Sequence, residues 1–295
     1  MAAQQIAVAY DFSPFARRAL ALALQGFPFG ADTVVKIVHV IDEHLYENVL
    51  SKSHIPSEDD IGAYLQADLA RVEKELPGKA SPAGVPILHI ARGKPFAEIL
   101  KAAADMKARA VMMGGQGHGG LKERFLGRTA QRVVREASCP VYIVKEPYSA
   151  SVPKRILCAV DYSEPSKKAL EQAAALAKRS GAALSLIHVV ENPYVPYLQK
   201  VAAEIHDEKV LRQLREDMQG ELRKFEKSVL GSPLAGHHLA VFGNAAETVA
   251  QHAKILNAGA IVLGTHGHSP LGRAVLGSVA EGVLLHSAVD VLVVR

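Results

Sequence analysis

Four landmarks recur along the chain at one offset. Asp11 and Asp161, Gly93 and Gly243, Gly114 and Gly264, and Gly127 and Gly277 each stand 150 residues apart. A spacing held over four sites means that one unit has been duplicated, and half of a 295-residue chain is long enough to enclose its own core. Whatever fold this sequence takes, it takes twice.

Within the first copy, apolar runs alternate with helical patterns. Ile6-Ala7-Val8-Ala9-Tyr10 reads as a strand, and Ser13 followed by Pro14 is a helix start running to about Gln25. A second strand is expected at 34–40. Ile61, Leu65, Leu69, Val72 and Leu76 then fall on one helical face, ended by Pro77-Gly78. Strands at 85–91, 110–113 and 141–144 follow, separated by helices from Pro95 to about Met106 and from Thr129 to Glu136. Strictly alternating strands and helices argue for a parallel sheet covered on both faces. The copies meet at Glu146-Pro147-Tyr148-Ser149-Ala150-Ser151-Val152-Pro153, a polar stretch bracketed by prolines. The domains are therefore expected at 1–146 and 153–295. In the second copy Leu211, Leu214, Met218, Leu222, Phe225 and Val229 share one face of a long helix, read as a packing surface.

The chemistry concentrates after the fourth strand of each copy. In the second copy Ala260-Ile261-Val262-Leu263 is followed by Gly264-Thr265-His266-Gly267, then nine residues, then Gly277-Ser278 and a helical pattern. Strand, glycine loop and helix in that order read either as a tight turn alone or as a phosphate cradle, since glycines let backbone approach a ligand and the free N–H groups of a helix start favour an anion. Ser278 can cap that helix or donate to a phosphate oxygen. Gly277 stands where a Walker-type loop has its lysine, so Lys-assisted phosphoryl chemistry is not expected.

These residues resemble the universal stress protein family, and the whole chain looks like a tandem, two-domain member of it. Gly264, Gly267, Gly277 and Ser278 match the family's nucleotide signature, supported by Val160-Asp161-Tyr162-Ser163, Ser166, Ala169-Leu170 and Ile187-His188-Val189. The resemblance implies an α/β fold of two flavodoxin-like, doubly wound, five-stranded parallel sheets in strand order 3-2-1-4-5, similar to the adenine nucleotide α-hydrolases. It further implies that Asp161 and the backbone of Val189 hold the adenine of ATP, that Gly264, Gly267, Gly277 and Ser278 wrap ribose and phosphates, and that Mg2+ can accompany the nucleotide. It implies pairing through the fifth strands, here within one chain as a pseudo-dimer, with a homodimer and further protein partners left open. In the first copy Gly114, Gly117 and Gly127 keep their spacing, but Arg128 stands at the Ser position, so ATP is expected mainly in the second copy.

No nucleophile lies beside an evident base, and no paired carboxylates are placed by a motif at the pocket, so no catalytic residue is named and any ATPase should be slow. His266 and His268 are spaced to hold a metal but lack a Cys or acidic neighbour in sequence, so they are read as solvated loop or phosphate-contacting residues ahead of a zinc site. His39 and His188 end matching strands and are read as hydrogen-bonded structural residues. Arg273 is read either as a phosphate neighbour or as a solvated side chain. A net charge of +4 with scattered basic residues does not imply nucleic acid. No apolar run approaches the ~20 residues that span a bilayer, the start has no signal-peptide pattern, and Cys139 and Cys158 suggest buried thiols. A cytoplasmic, ATP-binding regulatory protein is the reading. An α-hydrolase-like enzyme of adenine nucleotides, or an interaction module without nucleotide, are its rivals.

Overall fold

The computed structural model describes residues 4–30, 32–42, 57–76, 85–117, 126–145, 147, 151–191, 208–265 and 276–295. The chain divides between Val152 and Pro153 into two compact units.

The first unit runs β1 (Gln4–Ala9), α1 (Pro14–Leu24), β2 (Thr33–Ile41), α2 (Glu58–Glu75), β3 (Ile87–Arg92), α3 (Pro95–Asp105), β4 (Ala110–Gly114), α4 (Arg128–Glu136) and β5 (Val141–Val144). Its strands pair in parallel in the order β3-β2-β1-β4-β5, with Ile6 opposite both Val35 and Ala110 and Val111 opposite Val141. The second unit runs β6 (Arg155–Ala159), α5 (Glu164–Ser180), β7 (Ala183–Val190), α6 (Glu208–Leu230), β8 (His237–Phe242), α7 (Ala245–Ile255), β9 (Ala260–Gly264), α8 (Ser278–His286) and β10 (Asp290–Val294). Its order is β8-β7-β6-β9-β10, with Ile156 between Leu184 and Ala260. Both match the expected 3-2-1-4-5 arrangement.

The strands read as continuous apolar runs because helices cover both of their faces. Ile6, Val8, Val111, Met112 and Tyr142 in one unit, and Ile156, Leu157, Cys158, Ile261 and Val262 in the other, are almost wholly buried. Helix starts follow the sequence closely. The hydroxyls of Ser13, Ser57 and Ser163 and the amide oxygen of Asn244 accept backbone N–H groups of the first turn, and Ser57 with Asp60 forms a capping box.

Two details depart from expectation. On α2 the buried stripe runs Ile61, Leu65, Asp68, Val72, so a carboxylate and not Leu69 occupies the core phase. On α6 Leu222 and Phe225 are buried whereas Leu214 is 40% exposed, so the apolar face becomes core only toward its C-terminal end. Leu211 has a side chain outside the described set. The copies have also diverged between helices. A Cβ on Gly282 would lie 2.5 Å from that of Ala246, so α8 and α7 touch almost backbone to backbone. At the matching positions of the first unit, Arg132 stacks on Phe96 with its guanidinium carbon 3.3 Å from the ring centre.

Candidate ligand clefts at the strand switch points

In a 3-2-1-4-5 sheet the connections after strands 1 and 4 leave on opposite faces, which opens a crevice beyond their C-terminal ends. The first unit has a cleft of ≈ 1140 Å3 there, with Asp11 from the end of β1, His39 from β2, Gly114 to Gly117 from β4, and Gly127 and Arg128 from the start of α4 on its walls. The carboxylate and the glycine loop meet directly, since a Cβ on Gly117 would stand 2.9 Å from Asp11 Oδ2. Two residues about a hundred positions apart in sequence thus share one wall.

Local chemistry holds this corner. The N–H of Ser13 donates to Asp11 Oδ1 at 3.0 Å, and in the second unit the N–H of Ser163 donates to Asp161 Oδ1 at 3.1 Å, with the Ser163 hydroxyl on the same oxygen. Asp161 therefore sets the turn into α5 while standing half-buried at the mouth of the crevice. The next residue in each copy, Phe12 at φ 63° and Tyr162 at φ 66°, is an aromatic held in the left-handed region. That conformation costs about 1–3 kcal/mol and turns the ring across the sheet end. Phe12 meets the rings of Tyr10 and His39 at 5.4 and 5.2 Å, and Tyr162 meets those of His188 and Phe225 at 4.5 and 5.1 Å. His39 Nδ1 lies 2.8 Å from the carbonyl oxygen of Tyr10, and His188 Nδ1 lies 2.9 Å from that of Val160. A carbonyl can only accept, so Nδ1 carries the proton in both rings. Burial lowers the pKa of His39, against the smaller opposing effects of that carbonyl and of Asp11. Both histidines are the hydrogen-bonded structural residues expected.

The glycines have distinct reasons. A Cβ on Gly264 would lie 2.9 Å from Pro165 Cβ and 3.0 Å from its backbone, and one on Gly114 would lie 2.6 Å from Phe15 Cβ. The first signature glycine lets the opening turn of α5 or α1 pack on the strand end. Gly277 instead has φ −65° and ψ 148°, open to any residue, and donates its N–H to the carbonyl of Thr265 at 2.7 Å. Gly127 does the same toward Gly115 at 2.8 Å. Each is an N-cap without a side chain, so no cap side chain occupies the first N–H groups of α4 and α8. Ser278 is the first residue of α8, exposed at its mouth, and Arg128 holds the same place on α4. Val189 is half-buried on β7, next to His188. Gly267, His266, His268 and Arg273 lie outside the described residues. Among the described residues no cluster of three or more His, Cys, Asp or Glu could hold a metal ion.

One constellation in the first cleft is not announced by any motif. Buried Asp68 accepts hydrogen bonds from the hydroxyl of Tyr10 and, at 2.9 Å, from Nε of Arg17, with Nη1 of Arg71 at 3.8 Å. Burial first, then the Asp68 contact, pushes the Tyr10 hydroxyl pKa up, while Asp68 raises that of Arg17. At the matching places the second unit has Val160, Met218 and Lys167. The legible signal is the phase of α2, where an acid continues the 61–65–72 stripe.

Each unit is thus a doubly wound α/β domain with a glycine N-cap after its fourth strand. The model of the universal stress protein family matches residues 3–145 and again 153–295, so the chain belongs to that family as a tandem of two repeats. Among curated relatives, a universal stress protein of Thermus aquaticus is 34% identical over 48% of this chain and 97% of its own, and universal stress protein A homolog 1 of Coxiella burnetii is 32% identical over 48% and 95%. Among solved structures, a universal stress protein from Archaeoglobus fulgidus superposes with a TM-score of 0.63 at 23% identity, covering 99% of this chain and 96% of the other. A protein of Pseudomonas aeruginosa described as a putative universal stress protein gives 0.66 at 19% identity, covering 99% and 93%.

Proposed function

We propose that this protein binds ATP, held mainly by its second unit, and acts as a regulatory binding protein of the stress response. The observation that carries the reading is the start of α8. A side-chain-free N-cap, Gly277, and a hydroxyl, Ser278, open at the same sheet end as Asp161, with Gly264 closing the strand between them. In the proposed mode the N–H groups of that helix start favour the phosphates, and the Asp161 carboxylate accepts from the adenine amino group. Gly267 belongs to the same proposal through the signature spacing, and Val189 through its place beside His188 at the end of β7. Mg2+, when it accompanies the nucleotide, would neutralise the phosphates.

A cytoplasmic location belongs to the same reading. Among the described residues no helix is long and apolar enough to cross a membrane. Pairing of the two repeats as an intramolecular pseudo-dimer is supported by the presence of two family repeats in one chain. The test of function is direct. The purified protein is extracted with acid and the supernatant run by mass spectrometry, expecting an adenine nucleotide, and emptied protein is titrated with ATP by calorimetry. Absence of nucleotide in the extract together with no heat on titration would refute the proposal.

A further inference from the structure

We infer that the outer edge of β3 is a docking site for an extended, basic segment of another protein, which joins the first unit's sheet as an added strand.

β3 ends the strand order of its unit, and no strand among the described residues pairs with its outer side. Gly93 donates its N–H to the carbonyl of Ile41, so by the alternation of a parallel ladder Ala91, His89 and Ile87 bond toward β2. The N–H and C=O groups of Leu88, Ile90 and Arg92 therefore point outward. Such an edge is normally blunted by a lysine, a proline or a bulge, yet Ile87-Leu88-His89-Ile90-Ala91-Arg92 holds neither residue and runs in unbroken register with β2. Its one permanent charge, Arg92, stands at the end of the strand and is paired with Glu58 at 3.1 Å. Main-chain groups left open in this way are what an added strand bonds to.

A groove lies beside this edge. It has a volume of ≈ 550 Å3, with Gly62, Ala63 and Gln66 of α2 on one wall and Leu88, His89 and Ile90 of β3 on the other. Gly62 keeps it open, since a Cβ there would meet Cδ1 of Ile90 at 3.8 Å and nothing nearer. At the 150-residue offset α6 carries Arg212, Gln213 and Glu216, with Arg212 and Glu216 ion-paired at 3.9 Å. The helix flank beside the edge strand is thus small in the first unit and set with long side chains in the second.

Charge selects the occupant. Glu58, Asp59 and Asp60 open α2 and are exposed, and Arg92 offsets one of them. His89, whose pKa is lowered by burial and by Lys36, is neutral at pH 7 and offsets none. At the opposite end of the strand Val85 is 86% and Ile87 51% exposed. The edge therefore runs from an apolar end to an acidic one, and it fits a segment with apolar side chains at one end and Lys or Arg at the other. A second copy is the poorer match, because antiparallel pairing of two β3 strands about a two-fold axis sets the acidic end of one against the apolar end of its partner.

The experiment titrates the full chain into a fluorescein-labelled hexapeptide whose first four residues alternate valine and threonine and whose last two are lysine, and into the reversed sequence, following anisotropy. One of the two orders should bind, and replacing its lysines by glutamate should weaken it by roughly tenfold or more. Methylating alternate backbone nitrogens of the peptide, on the side that faces β3, should abolish binding. Gly62→Arg, which gives α2 the residue that α6 has, should weaken binding by roughly tenfold or more without lowering the melting temperature, since it replaces a glycine inside a helix. Asp59→Lys should weaken the lysine peptide several-fold and leave the glutamate peptide no weaker. Binding of neither order, or binding indifferent both to backbone methylation and to Gly62→Arg, would overturn the inference. A concentration-dependent dimer in sedimentation that Gly62→Arg dissolves would overturn it as well, because the occupant of the edge would then be a second copy of this chain.

Discussion

Glu226 offers the sharpest test of how the second unit is held together. Its side chain is fully buried on α6, and one carboxylate serves three donors. Oε1 accepts the N–H groups of Leu234 at 2.8 Å and Ala235 at 2.7 Å, and Oε2 meets Nε2 of His238 at 2.9 Å. It thereby fixes both the turn leading into β8 and a side chain on that strand. Removing one side of a buried, hydrogen-bonded charged group costs about 3–5 kcal/mol, since the remaining donors lose their acceptor in a place water does not reach. Glu226→Ala should therefore lower the melting temperature of the second unit by on the order of 10 °C, read by calorimetry with the first unit's transition as internal reference. Glu226→Gln keeps an acceptor for the two N–H groups and should cost roughly 1–2 kcal/mol. The first unit supplies a control, because Leu76 and Leu88 stand at the places of Glu226 and His238. A Glu226→Leu/His238→Leu double variant should recover part of the single variant's loss, since removing both polar partners is milder than removing one. If Glu226→Ala unfolds within about 0.5 kcal/mol of the parent protein, the turn is held by something else and the reasoning fails.

Three further outcomes are expected. Calorimetric titration with ATP should find one tight site per chain, abolished by Gly277→Val and little changed by Gly127→Val; two equal sites would contradict the asymmetry. His39 is held below its ordinary pKa mainly by burial, so the unfolded chain binds its proton more readily, and stability present above pH ~6.5 should be lost as pH falls below it. His89, lowered by burial and then by Lys36, acts in the same direction, so the measured quantity is the part of the pH 7 to 5 loss that His39→Gln removes; no difference between the two proteins would refute the assignment. Finally, the two halves expressed as separate chains should associate one to one on size-exclusion chromatography if the repeats pair, and should elute apart if they do not.

The fold was legible because its signals are local or periodic. Runs such as Ala260-Ile261-Val262-Leu263 announce strands buried on both faces, Ser13-Pro14 announces a helix start, and the 150-residue offset announces the duplication. What escaped depends on contacts between distant segments. Asp68 reads as a surface acid until Tyr10 and Arg17 are seen to meet it. Nothing in Phe12 or Tyr162 advertises a left-handed backbone, because aromatic residues rarely adopt it and only the surrounding corner imposes it. Gly264 was legible as a glycine of the loop, but its steric reason, the opening turn of α5 at Pro165, lies about a hundred residues away.

That last point changes how the duplicated signature should be weighed. Gly114 and Gly264 are both needed to let a helix cross a strand end, so their presence in both copies reports on packing and says little about a ligand. Gly127 and Gly277 both close the loop through an N–H bond at an ordinary backbone conformation, and they too serve the fold whether or not a ligand arrives. If the units bind nucleotide as proposed, any difference in selectivity would lie where the copies differ: Arg128 against Ser278 at the helix mouth, and Tyr10, Asp68 and Arg17 against Val160, Met218 and Lys167 at the 150-residue offset. Burying a carboxylate carries a desolvation penalty that an apolar residue avoids, and at the 150-residue offset the second unit has Met218, which is half-buried. What the carboxylate of Asp68 does provide is a guanidinium held in place on the wall of the first unit's cleft.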